Sequence, residues 1–553
     1  MRQSSVRGEG APAQPGGDIS GGGSGAPAPP ANGSGSGGGA AKRSGRRRVL
    51  RWVSSVLSFL ILATAAGGYL YYRHLNGSIK TDVLNLGENK LGGSKPNAFG
   101  QTPLNILLIG SDARDDAANQ ALGGAKDTFG GPPLADVQML LHLSADRSNM
   151  SVVSMPRDTM LSMPKCTEPG GKVHPASKGL VQTNESLSRG GPGCTVAAWQ
   201  ELTHIPIDHF MMIDFKGVVT MADAIGGVPV CVQQNVESRT KEGKGSGLKL
   251  PAGTSTIQGE QALQWLRTRY GFEDGTDLGR THAQHMYMNS MAREFRKNAK
   301  LSNPVKLNSL AQAAIKAMVV DPGLNKIDKL YDLSMELKKV PTGRITMTTM
   351  PWVYSTREEG RVEPKPGEAE DVFRMVREDI ALDGKGSGNP AATPSGPAAS
   401  GSPAAPSQPA ASPAAPPAKI AVSVRNATGG KDGAQTRVKG RADDVAAVLI
   451  GKGFTKAAAS TQAAGENTTV VRFSGPDQAA DAAAVATALG LPASSVEKSD
   501  DVTGIVLFVG KDWRTGNAPT PPPPAPTKAP DSARPLNGDD DKECMAVQPG
   551  FTW

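Results

Sequence analysis

Trp52 to Tyr72 are 21 consecutive residues without a charge, with Val56, Leu57, Phe59, Leu60, Ile61 and Leu62 at their centre. No other feature restricts this chain so strongly. A helix of about 20 apolar residues is long enough to cross a bilayer. Trp52, Tyr69, Tyr71 and Tyr72 lie at the ends of the run, where interfacial aromatic residues sit. Six basic residues between Lys42 and Arg51 precede it, and Arg73 and His74 follow. That asymmetry places the N-terminus in the cytoplasm and everything beyond residue 72 outside. A cleaved signal peptide has a related layout, and the small residues Ala63, Ala65 and Ala66 fit one. The length of the run and its tyrosine-rich end favour an uncleaved, single-pass signal anchor.

The anchor also accounts for the charge. The 553-residue chain carries +8, and residues 1–51, with eight basic and two acidic side chains, hold +6 of it. The basic balance is local and lies beside a membrane segment, so nucleic-acid binding is not implied. Residues 1–51 read as a disordered basic cytoplasmic tail, because Gly, Ser, Ala and Pro cannot bury a core. Residues 73–100 read as a stalk. Residues 384–418 are almost wholly Pro, Ala, Ser and Gly and form a semi-extended linker. Residues 514–553 open Pro-rich and read as a disordered tail. Two folded regions remain, 101–383 and 419–513.

Cys166, Cys194, Cys231 and Cys544 all follow the anchor, where disulfides are permitted. Cys166 and Cys194 bracket one Gly- and Pro-rich stretch and are expected to pair. The partners of Cys231 and Cys544 stay open, and no spacing matches a metal site such as C-x-x-C.

The first folded region is organised around residues 105–158. Three short runs rich in Ile, Leu and Val, near 106–109, 137–143 and 152–155, read as buried strands. Asp112 and Arg114 follow the first, Asp136 opens the second, and Arg157 and Asp158 follow the third. Open α/β sheets place ligand sites at the carboxyl ends of strands. Separated carboxylates can hold a hard divalent cation and arginines can hold phosphate oxygens, so the pattern points to a phosphorylated ligand. Beyond it come a helix over 195–202, a strand over 205–215, and a helix over 216–225 closed by Gly226 and Gly227. An amphipathic helix over 257–267 delivers Arg267 and Arg269, and further helices run over 280–296, 306–319 and 327–338. A strand is expected near 345–350. His209, Asp214 and Asp158 read as structural. The second region alternates strand and helix at 420–425, 438–452, 468–473, 478–489 and 504–509, and shows no catalytic constellation. The fold class is α/β throughout: a central sheet flanked by helices, then a small α/β domain.

Four separated stretches carry a resemblance. They are Gly110-Ser-Asp-Ala-Arg114; Ala135-Asp136 through Met155-Pro-Arg-Asp158; Ile207 to Val228, with Asp223-Ala-Ile-Gly-Gly-Val228; and Gly259-Glu-Gln-Ala-Leu263 through Arg267-Thr-Arg269 with Asp277-Leu-Gly-Arg280. In this order, across about residues 100–355, they resemble the LytR-CpsA-Psr cell-wall glycopolymer ligases. Residues 418–513 are similar to the small C-terminal domain of actinobacterial members. The resemblance implies a phosphotransferase that moves a glycopolymer, teichoic acid among others, from a polyprenyl-pyrophosphate carrier to a peptidoglycan hydroxyl through a phosphodiester. It implies magnesium or manganese held by Asp112 and Asp136, and Arg157, Arg267 and Arg269 on the pyrophosphate. The helix is expected to end at Arg267 so that Arg267 and Arg269 converge. Arg114, Asp277, Arg280 and Gln284 match further polar positions, and Asp277 is the candidate general base for the acceptor hydroxyl.

Departures accompany the match. Leu134-Ala-Asp136 stands where family members often have Arg-Ser-Asp. Ala283-Gln-His285 stands for Arg-Gln-Gln, and Thr183-Asn-Glu-Ser186 for Ile-Asn-Ala-Ala. They motivate a second reading, a wall-binding scaffold that has kept the fold. Hydrolysis of the pyrophosphate is a side reaction open to the same site. Transcription regulation finds no helix-turn-helix here.

Overall fold

The computed structural model describes residues 43–86, 91–94, 96–97, 100–113, 119–120, 122, 131–298, 304–386, 414–430, 435–491, 495–499, 501–520 and 526–553. Arg114 and the linker positions 387–413 lie outside the described residues. The chain divides into two units, one ending at Arg73 and one beginning at His74. Helix α1 (Arg43–Ser78) carries the apolar run, and its Val49–Ser78 part is long and apolar enough to cross a membrane.

The second unit is built on a mixed eight-stranded sheet. Its strands, in chain order, are β1 (Lys80–Thr81), β2 (Leu104–Ser111), β3 (Ala135–Leu143), β4 (Met150–Met155), β5 (His209–Ile213), β6 (Met318–Val320) and β7 (Ile345–Thr349), joined by Leu536–Asn537 near the end of the chain. The spatial order is β1-β6-β5-β2-β3-β4-β7 and then Leu536–Asn537. The three runs read from residues 105–158 are adjacent: β2 and β4 flank β3, both antiparallel to it.

Both faces of the sheet are covered, which is why its strands read as continuous apolar runs rather than alternating ones. Alternate residues enter opposite cores. Ile106, Leu141 and Val152 pack with Trp265, Ala283 and Met286 on one side. Leu107, Ile109 and Val153 pack with Val196, Trp199 and Phe373 on the other. Helix α2 (Ser186–Thr203) covers the second face and contains non-helical backbone at Gly190 and Gly191, where the sequence reads a turn. Helix α3 (Phe215–Ile225) is capped by the Asp214 carboxylate, which accepts from Gly217 N–H at 2.7 Å, and ends on Gly226 at φ 94°. Helices α4 (Gly259–Arg267) and α5 (Asp277–Asn298) follow. His209 Nδ1 sits 3.0 Å from the buried Asp321, so His209 and Asp214 are structural as read.

Two boundary expectations change. The sheet begins inside the expected stalk. Lys80 and Thr81 pair with Val319 and Val320, and Leu86 is buried. A two-residue edge strand has no period of its own and is recruited by the unpaired edge of β6. The larger correction concerns the expected tail. Residues 526–553 form a strap along the sheet domain. Leu536 and Asn537 pair with Met347 and Thr346, Met545 bridges to Val232, and Phe551 stacks on Tyr270 at 6.2 Å. Cys231 bonds Cys544 across 313 residues, and Cys166 bonds Cys194. The strap is polar and Pro-rich, so its own sequence carries no burial pattern. Partners far away in the chain supply its order.

Between the sheet domain and the strap lies the second region, a five-stranded sheet of Lys456–Ser460, Ala421–Asn426, Ile505–Val509, Val470–Phe473 and Val496–Lys498 in spatial order. Helices Arg441–Gly451 and Ala479–Ala488 pack on it. The three strands and two helices read from the sequence are present. The two edge strands were not read.

Candidate active site

The site begins with an irregularity in the sheet. Gly110 pairs with Val137, but Ser111 pairs with Ala135, which leaves Asp136 as the extra residue of a bulge. A bulge re-aims the side chain it carries. Gly110 is required there, because a Cβ at that position would lie 2.8 Å from Val137 Cβ. One residue beyond β2, Asp112 ties its own strand end to the start of β3. Its N–H donates to Leu134 O at 3.1 Å, and its Oδ1 accepts from Leu134 N–H at 2.7 Å.

Arg157 leaves the end of β4 and reaches across. Its Nη1 donates to Asp136 Oδ1 at 2.9 Å, and its Nε lies 3.6 Å from Asp158 and 3.7 Å from Asp277. Asp277 opens α5 and gathers the rest. Its Oδ1 takes Arg269 Nη2 at 2.7 Å and Arg280 Nη2 at 2.6 Å. Arg280 lies one helical turn after Asp277, and Gln284 one turn further donates to Leu266 O at 3.1 Å. Asp136, Ser154, Arg157, Asp277, Arg280 and Gln284 thus line one small pocket of about 10 Å³.

Burial opposes charge in this pocket, and pairing answers it. Burial raises the Asp136 carboxyl, yet Arg157 and Arg280 hold it below its ordinary value, with Asn184 adding a hydrogen bond. Burial lowers Arg157, but Asp136, Asp277 and Asp158 more than restore it. Arg280, only 8% exposed, is pushed down to about 10 by burial, against the favourable charge of Asp277. It stays protonated at neutral pH. The pairing is nevertheless incomplete. The Nε–H groups of Arg157, Arg269 and Arg280 are all buried without a hydrogen-bond partner. A buried donor without an acceptor is costly, and two of these three residues, Arg157 and Arg280, line the pocket, while Arg269 reaches it through Asp277.

One expectation needs correction. Helix α4 does end at Arg267, with Thr268 extended and its hydroxyl bonded to Gln264 O. The two arginines part there instead of converging. Arg269 turns to Asp277, while Arg267 donates to Leu122 O at 2.8 Å and lies over the Phe215 ring. Arg267 still belongs to the helix, whereas Arg269 lies beyond extended Thr268, so the two side chains leave differently directed pieces of backbone. Asp277 Oδ1 accepts from two guanidinium N–H groups, so this carboxylate organises the arginines. Two contributors had no signal in the sequence. Arg361, on the hairpin Trp352–Tyr354 and Val362–Pro364, donates to Asp158 Oδ1 at 3.0 Å. The Gln182 amide joins Asp158 and Arg361, 3.0 Å from each. Asp158 thus holds its loop, as read.

Residues 74–373 match the model of the LytR_cpsA_psr family. The chain belongs to that family. Residues 419–513 match a second model, described as LytR cell envelope-related transcriptional attenuator. Cell wall biosynthesis protein LcpA of Corynebacterium glutamicum is 29% identical over 326 residues, 55% of this chain and 60% of that one. The polyisoprenyl-teichoic acid–peptidoglycan teichoic acid transferase TagV of Bacillus subtilis is 24% identical over 270 residues, 48% of this chain and 63% of that one. The chain therefore spans somewhat less than two thirds of the length of these two relatives. A solved LytR-Csp2A-Psr enzyme from Actinomyces oris is 21% identical, with 54% of this chain and 96% of that one covered and a TM-score of 0.38.

Three of the departures from the family pattern fall into packing positions. Ala135 and Ala283 are fully buried, in opposite cores, and the Ala283 carbonyl accepts from Trp265 Nε1 at 2.9 Å. His285 is buried and bonds Ser154 Oγ at 2.6 Å. The donor set can also be tested for a metal. Among the described residues, no group of three or more His, Cys, Asp or Glu gathers to hold an ion alone. Asp112 and Asp136 stand on neighbouring strand ends, and a magnesium ion characteristically takes one or two carboxylates and completes its shell with water and phosphate oxygens. Two carboxylates of this kind would suit an ion whose remaining shell is water and phosphate oxygens.

Proposed function

We propose that the chain is a phosphotransferase that moves a glycopolymer from a polyprenyl-pyrophosphate carrier to a peptidoglycan hydroxyl in cell-wall assembly. The observation that carries this reading is the cluster of Arg157, Arg280 and Arg269 on Asp136 and Asp277, with buried, unpartnered guanidinium Nε–H groups on all three and Arg157 and Arg280 lining the pocket. A pyrophosphate offers the acceptors they lack, in a water-poor site where such contacts are strong. The pocket is small because its own ion pairs close it, so phosphoryl oxygens enter by exchanging with carboxylates on the guanidiniums.

In the step itself, the acceptor hydroxyl oxygen bonds the phosphorus that carries the glycopolymer. The bond from that phosphorus to the bridging oxygen breaks, and polyprenyl phosphate departs with the bridging oxygen. The hydroxyl proton leaves with that departing phosphate. Arg157, Arg269 and Arg280 hold the oxygens on which charge shifts, Asp136 and Asp277 hold the arginines, and Gln284 closes the floor. Asp112 and Asp136 would hold the magnesium or manganese ion, which supplies further neutralisation of the pyrophosphate. Helix α1 anchors the chain in the membrane, with the N-terminus cytoplasmic and the sheet domain outside beside its lipid-borne donor.

The test is release of polyprenyl phosphate from a polyprenyl-pyrophosphate sugar by the full chain with magnesium, with Arg157→Ala and Asp136→Ala alongside. Metal-dependent release that both variants lose supports the reading. Binding of the lipid without turnover, unchanged in both variants, would sink it and favour the scaffold.

A further inference from the structure

A second cleft, of about 470 Å³, adjoins the arginine pocket and plays no part in the chemistry above. That volume lies within the roughly 300–1,000 Å³ of small-ligand sites. The two cavities share a wall. Asp277, Arg280 and Gln284 of α5 face the pocket, while Leu278, His282 and His285 of the same helix face the cleft. The Ser154–His285 hydrogen bond crosses between them, since Ser154 lines the pocket.

The chemistry of the cleft is opposite to that of the pocket. His282 is the one lining group held between two carboxylates, 2.6 Å from Glu273 and 3.0 Å from Glu543, so its charge is spent internally. Arg534 reaches back to Glu273 at 3.5 Å. Three carboxylates, counting Asp540, thus stand against two cations, and the balance rejects phosphate. Glu543 Oε2 is buried without a donor, an acceptor waiting for a hydroxyl or amide N–H. On the remaining side lies half-buried Trp352, edge-on to exposed Tyr354 at 5.1 Å. An aromatic face among acceptors, with a net negative balance, suits a neutral ring with apolar C–H faces and many hydroxyl and amide donors.

We propose that this cleft is the acceptor subsite, holding a neutral N-acetylated saccharide of the wall polymer beside the pyrophosphate pocket. The inference rests on the transfer reaction proposed above. It assigns a purpose to the strap. Strap residues between Ser532 and Glu543 make about half of the cleft wall, and the Cys231–Cys544 disulfide fastens the strap next to Glu543. The acceptor site is therefore completed only when the last residues of the chain have folded onto the sheet domain.

The test titrates the full chain, in detergent, with a soluble β-1,4-linked N-acetylglucosamine tetramer, followed by calorimetry. Saturable binding at about millimolar concentration is expected. It should weaken about tenfold or more in Trp352→Ala and in Glu543→Gln, and be largely kept by Trp352→Phe. A diazirine derivative of the tetramer, used on the unaltered chain, should label peptides bearing Trp352 or residues 532–543, which removes any dependence on how the variants fold. Absence of saturable binding, equal binding by both variants, or labelling confined to other peptides overturns the subsite. Polyprenyl phosphate release without acceptor is measured on the same preparation. Its loss would overturn the transfer reading, whereas failure of saccharide binding with release intact overturns this subsite alone.

Discussion

The arginine pocket and the neighbouring cleft are built on one helix and wired in opposite senses. In the pocket, one carboxylate, Asp277, serves two arginines and approaches a third. Guanidinium N–H groups are left over. In the cleft, one imidazole, His282, serves two carboxylates, and a carboxylate oxygen is left over. In the two proposals the unspent group sets what each cavity would take: acceptor-rich phosphate in the first, donor-rich saccharide in the second. A turn of helix is enough to separate the two, because residues 277, 280 and 284 share one face while 278, 282 and 285 share another. The cavities also differ in origin. The pocket draws on residues 136–284, whereas the cleft waits for the strap some 250 residues later.

The largest expected effect attacks the pocket. Arg157→Ala removes a buried donor aimed at the reacting phosphates, and release of polyprenyl phosphate should fall about 10²–10³-fold. Retention of more than a third of the activity would show that Arg157 only ties Asp136 in place. Next comes the strap. The paired substitution Cys231→Ser and Cys544→Ser should lower unfolding stability by about 2–4 kcal/mol, read by chemical denaturation, because the closed loop is long. Tenfold or greater loss of tetrasaccharide binding should accompany it; unchanged binding would detach the strap from the cleft.

A third prediction uses pH. Burial disfavours charged His282, but its bonds to Glu273 and Glu543 outweigh burial and raise it to about 9. The folded value lies above the ordinary 6.5. The group's stabilisation is therefore complete below pH 6.5 and is lost as pH rises toward 9, by at most about 3 kcal/mol. His285, three residues on, is pushed down to about 3, first by burial and then by the charge of His282. Its contribution is present above pH 6.5 and is lost as pH falls toward 3. Denaturation of wild type and His282→Asn at pH 6, 8 and 9.5 should show a gap that closes with rising pH; a constant gap would mean His282 is not charged in the fold. The smallest effect lies at the far end of the strap. Lys249 sits over Trp553 at 4.6 Å, and Trp553→Ala should cost about 0.5–1 kcal/mol with no change in release.

Much of this molecule was legible in its residues. The apolar run at 52–72, the three buried strands around residues 105–158, and three strands and two helices of the 419–513 region declare themselves through local composition and period, which the chain carries whatever it packs against. Asp136, Arg157, Arg269, Asp277 and Arg280 could be named because charged groups at strand ends and helix starts are visible in one dimension. What each does to its neighbour was not visible. Which guanidiniums reach Asp277 Oδ1 depends on how α5 meets the segment after α4, and whether Arg267 joins Arg269 depends on the direction the chain takes at Thr268. Only the tertiary structure decided these. It alone also decided the strap, the Cys231–Cys544 bond, the edge strand at Lys80 and the part played by Arg361. Each depends on partners tens to hundreds of residues away, and a short polar segment acquires its order from the edge that receives it, not from a pattern of its own.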